Sequence, residues 1–141
     1  MTLKFSIKIN APKEKVWETL WNDSTYRQWT SAFTEGSHAV SDWNEGSTVK
    51  FLDGKGDGMF SIIEKKIPNQ EMSFKHLGEL KNGVEEIKDW GDAFENYYLS
   101  GNNGTTTLDV ELTMQANEDF EKYFNATFPK ALEIVKQISE K

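Results

Sequence analysis

Residues 105–114 alternate without a break. Thr106, Leu108, Val110, Leu112 and Met114 share one face, and Thr107, Asp109, Glu111 and Thr113 share the other. This period of two marks a strand with one dry face and one wet face. A wet face implies an antiparallel sheet, because parallel sheets are covered on both sides. The dry face needs a cover, and the long segment for it follows at once. Across residues 118–139, Phe120, Tyr123, Phe124, Phe128, Leu132, Val135 and Ile138 form one stripe at helical spacing. Asn117 stands where it can cap this helix, and Glu118, Asp119 and Glu121 suit the positive end of its dipole. Pro129 lies inside the stripe and predicts a kink near residues 125–129, since it has no N–H to donate.

The rest of the chain supplies the sheet. Residues 4–9 alternate, and Ala11-Pro12 ends that strand. Pro12 suits the first position of a helix whose buried face is Val16, Trp17, Leu20 and Trp21. Asp23 or Ser24 is placed to cap a second short helix carrying Tyr26 and Trp29. Strands are expected at residues 47–52, 59–67, 71–77, 93–100 and 105–114. In the 71–77 strand Met72, Phe74 and His76 share a face. Gly54, Gly56 and Gly58 are followed by a strand, so they read as a hairpin turn; a dinucleotide fingerprint needs a helix there. Residues 78–91 read as a long acidic connection, either a solvated loop or a lid tipped by Trp90. Asn103-Gly104 marks the last hairpin. Residues 1–141 are read as one domain.

Composition removes several classes of function. The chain has no cysteine, so thiol nucleophiles, disulfides and thiolate metal sites are out. Two histidines carry no metal-ligand spacing, and neither metal nor cofactor is expected. A net charge of −7 with a single arginine, Arg27, argues against nucleic acid as a partner. No apolar run has signal-peptide or membrane-span length, so no membrane span is expected and a cytoplasmic location is. Nucleophile elbow, phosphate loop and triad spacings are absent.

Taken in order, Ala11-Pro12, Val16-Trp17, Leu20, Trp29, Gly46, Pro68, the 74–78 run Phe-Lys-His-Leu-Gly, Glu95-Asn96-Tyr97, Gly104-Thr105 and Phe128-Pro129-Lys130-Ala131-Leu132 resemble the START-related helix-grip superfamily (SRPBCC). Within it they look most like the branch of activators of heat-shock ATPase. The resemblance spans the whole chain. It implies an α+β helix-grip fold: a curved antiparallel sheet of six or seven strands wrapped on a long C-terminal helix, with two short helices after the first strand.

A bent helix on a curved sheet encloses a tapering space. At about 24 cal/mol per Å³, an empty pocket of about 300 Å³ would cost on the order of 7 kcal/mol. That rivals a typical domain's net stability of about 5–15 kcal/mol, so side chains, water or a ligand must fill the space. The candidate lining is Trp29, Phe33, Phe60, Phe74, His76, Trp90, Tyr97, Leu112, Phe124 and Phe128. His76 and Tyr97 are the candidate polar anchors, although His76 also fits a histidine hydrogen-bonded at the edge of the core. The leading expectation is non-catalytic binding of a small hydrophobic molecule. The alternatives are docking on the ninety-kilodalton heat-shock chaperone, as the resemblance implies, and a cyclase- or hydrolase-like enzyme on a hydrophobic substrate.

Overall fold

The computed structural model describes all 141 residues, Met1–Lys141. The order of elements is β1 (Thr2–Ile9), α1 (Lys13–Trp21), α2 (Asp23–Thr30), β2 (His38–Val40), β3 (Thr48–Leu52), β4 (Gly58–Ile67), β5 (Glu71–Lys81), β6 (Val84–Ile87), β7 (Phe94–Asn102), β8 (Thr105–Thr113) and α3 (Glu118–Ser139). All strands pair antiparallel in one sheet of order β1-β8-β7-β5-β4-β3-β2. β6 pairs with β5 off that path.

Eight strands replace the expected six or seven. β2 has only three residues. β6 lies within the stretch read as an acidic connection. There β5 runs on to Lys81, and Asn82-Gly83, both at positive φ, turn the chain back into β6. Every residue of β6 is exposed. With both faces wet, β6 carries no alternation to read.

The α-helices conform to expectation with two shifts at their starts. Pro12 precedes α1, and its carbonyl accepts from the N–H groups of Lys15 and Val16 at 3.0 and 3.1 Å. Asn22 caps α2 in place of Asp23 or Ser24, its side-chain oxygen accepting from the Ser24 N–H at 3.1 Å. Asn117 caps α3 as expected, accepting from the Phe120 N–H at 3.1 Å. Asn117→Ala is expected to lower stability by about 1 kcal/mol, read as a shift of the urea midpoint. α3 is assigned helical straight through Pro129, which is exposed.

The two halves of α3 have different surroundings. Phe128, Ala131, Leu132 and Val135 are buried in the main core. The Ser139 hydroxyl donates to Thr19 Oγ1 at 2.9 Å and ties the helix end to α1. The first half is peeled away from the core: Phe120 is 54% exposed, and Phe124 is half-buried. Tyr123 Oη reaches across to donate to the Phe33 carbonyl at 2.8 Å. That bond, with the Phe33–Tyr123 ring contact at 6.5 Å, ties the overhanging half to the segment after α2.

Candidate functional site

The overhang creates a cleft of about 670 Å³ between the first half of α3, the end of α2 with the following segment, and the concave face of the sheet. Its walls are mostly apolar and rich in aromatic rings. Tyr26, Trp29 and Phe33 come from the α2 side, Phe51 from β3, Phe94 and Tyr97 from β7, and Phe120, Tyr123, Phe124 and Phe128 from α3. Leu112 and Met114 continue the apolar surface at the end of β8. An adjoining outer cleft of about 410 Å³ is lined by Phe60, Lys75, His76, Leu77 and residues 87–92. His76 and Trp90 belong to both spaces and form the wall between them.

That wall has a local cause in the sheet. β7 pairs with the first half of β5 and β6 with the second, so the chain must cross between them beside His76 and Leu77. Residues 88–93 make the crossing and carry Trp90. On the other edge, a register shift pairs Phe60 with Gly78 and Ser61 with His76, leaving Leu77 unpaired. Bulges re-aim side chains in this way. Gly78 is required at the bulge: a Cβ there would sit 2.1 Å from the Glu86 carbonyl oxygen and 2.8 Å from the Phe60 ring.

The bulge sets up a row of polar groups along the cleft. Ser61 Oγ lies 2.5 Å from His76 Nδ1. His76 Nε2 lies 3.3 Å from Glu95 Oε1, and the Tyr97 phenol donates to Glu95 Oε2. Burial, with the Glu95 charge added, pushes both Tyr97 and Tyr26 well above the usual phenol range, so both stay protonated. Serine, histidine and glutamate are the residue types of a hydrolytic triad. Here, however, Ser61 is wholly buried between β4 and β5 and does not line either cleft. It holds the imidazole in place and presents no nucleophile.

Eight of the ten residues expected from sequence face the main cleft: Trp29, Phe33, His76, Trp90, Tyr97, Leu112, Phe124 and Phe128. Phe60 faces the outer cleft instead. Phe74 reaches neither, because Trp21, Trp43 and Phe51 pack over its ring at centroid distances of 5.4, 6.4 and 5.2 Å. Phe74 was placed by strand alternation, which gives a side chain's face and not what lies above it. Tyr26, Phe51 and Glu95 were missed. For Glu95 a signal existed, since it stands two residues from Tyr97 on the same strand face.

Solved structures share this fold. The dimeric Aha1 from Colwellia psychrerythraea superposes with a TM-score of 0.77 and 21% identity, over 99% of this chain and 96% of that one. The fold is the α+β helix-grip fold. CV1439 from Chromobacterium violaceum gives a TM-score of 0.73 at 14% identity, over 99% of this chain and 98% of its own. CalU16 from Micromonospora echinospora gives 0.71 at 13% identity, over 99% and 76%. No protein-family model matches the chain, and no curated protein matches it in sequence. At these identities the helix-grip likeness fixes the architecture and leaves the occupant of the cleft to be argued from the residues.

Proposed function

We propose that this helix-grip chain binds a small, mainly apolar molecule in the cleft under α3, without covalent chemistry. The observation that carries the reading is an aromatic-walled cleft of about 670 Å³ with a short polar row on one wall. Apolar surroundings with a few convergent polar groups are the usual makeup of a small-molecule site, and this volume lies within the common range. A closed void of that size would cost more than a domain's entire stability at about 24 cal/mol per Å³. The cleft is therefore occupied, by water or by a guest, and an apolar guest that displaces water from these rings gains the hydrophobic term.

Mass spectrometry of material released from freshly denatured protein tests this, together with a thermal-shift screen of sterols, long-chain alcohols and aromatic polyketides. A ligand at about 100 times its dissociation constant adds about 2.7 kcal/mol to folding. For a chain of this length that raises Tm by about 9 °C. Clean extracts, combined with no shift from any apolar compound, would remove the reading. A second reading draws on the likeness to Aha1 over nearly the full length of both chains: docking on the ninety-kilodalton heat-shock chaperone. Unchanged chaperone ATP turnover in the presence of the protein would remove that one.

A further inference from the structure

We propose that the cleft selects an apolar molecule carrying a positive charge, a hydrophobic amine, over neutral and anionic molecules of the same shape. This rests on the cleft being a binding site and names the chemistry of its guest. The lining includes four carboxylates, Asp53, Asp57, Glu79 and Glu95, and no lysine or arginine. Lys55 neighbours Asp53, and its charge acts on that carboxyl. Lys88 and Lys75 line the outer cleft, the first pairing with Glu86 at 3.0 Å and the second lying 6.0 Å from the centre of the Phe94 ring.

Glu95 is the innermost of the four, with a side chain only 18% exposed. A carboxylate offers about four acceptor positions. The Tyr97 phenol takes one on Oε2, and His76 lies against Oε1, so positions remain for a donor from the cleft. Tyr26, 6% exposed, also lines the cleft, and the Glu95 charge acts on its phenol. At the mouth, Asp53 is fixed as a charge because the N–H groups of Lys55 and Asp57 hold its carboxyl below the usual range. Tyr26, Trp29 and Tyr97 also line the cleft, and aromatic rings attract cations. The net charge of −7 steers cations toward the molecule as a whole. A fatty acid entering here would bring its carboxylate against like charges, with no lysine or arginine in the lining to receive it.

The test uses three probes of one chain length, decylamine, decanol and decanoate, measured by calorimetry near neutral pH and below their aggregation concentrations. The expected result is one site, with decylamine bound at least about tenfold tighter than decanol and decanoate bound most weakly. In Glu95→Gln the advantage of the amine over the alcohol falls to about threefold or less, whereas Glu14→Gln, on the exposed side of α1, leaves it unchanged. A non-specific attraction to an acidic protein would respond equally to both substitutions, and that outcome overturns the proposal. So does decanoate or decanol binding as tightly as decylamine to the unmodified protein, a comparison that needs no variant to fold. In that case the cleft remains an apolar site without a charge preference. If none of the three binds, the apolar-binding reading falls as well.

Discussion

Phe74→Ala is expected to lower folding stability by about 3–5 kcal/mol while changing cleft affinity by less than about threefold. The Phe74 ring is fully buried and packs against rings from two other strands of its sheet and from a helix. Phe51 of β3 meets it at 5.2 Å and 89°, Trp21 of α1 at 5.4 Å and 69°, and Tyr97 of β7 at 6.3 Å and 81°. These are edge-to-face contacts, each worth about 0.5–1.5 kcal/mol beyond the area they bury. The neighbours are anchored in separate strands and a helix, so they cannot collapse together into the space left behind. That places the cost toward the upper end of the range for large-to-small changes. Phe124→Ala should show the reverse pattern. Its ring is half-buried at the overhang, so stability falls by about 1 kcal/mol or less while apolar ligands bind more weakly. Urea titrations with an unchanged slope, paired with ligand titrations, read both effects. A loss below about 1 kcal/mol for Phe74→Ala would mean that the aromatic junction is not packed as described.

That contrast also explains how far the chain could be read without coordinates. The alternation of residues 105–114 gave the buried face of β8 correctly, because Thr106, Leu108, Val110 and Leu112 are all buried and the residues between them are only partly so. The stripe of α3 was legible for the same reason, with one limit. Periodicity puts Phe120 and Leu132 on one face, yet only the C-terminal half of that face meets the core. Likewise Met72, Phe74 and His76 share a strand face, but a roof of rings covers Phe74 and ends before His76. Face is a local property of the backbone; depth depends on what other segments bring. The bulge at Leu77 had no local signal beyond Gly78, and it is the bulge that joins Ser61 to His76. β6 was hidden by its chemistry, as a strand wet on both sides looks like a loop.

Raising the pH above about 10 is expected to destabilise the fold by about 2.7 kcal/mol per pH unit through two phenols alone. Tyr26 and Tyr97 are buried, and burial together with the nearby Glu95 charge raises both above the ordinary phenol value. In the unfolded chain both lose their protons near pH 10. The folded state keeps them, so above that pH the unfolded state binds fewer protons and stability falls as pH rises. The contribution is fully present below about pH 10 and is lost progressively up to the raised folded values. Each phenol contributes a slope of about 1.4 kcal/mol per unit, so Tyr26→Phe should remove about half of it and Tyr26→Phe/Tyr97→Phe nearly all. Glu95→Gln acts differently. It keeps both phenols buried but removes the charge beside them, so their folded values drop and the range of pH over which stability is lost narrows. Stability measured by urea titration between pH 9 and 12, in the four proteins, separates burial from charge as the cause. A curve that stays flat through this range, after allowance for lysine titration in the double variant, would mean that water reaches both phenols and that burial does not hold their protons.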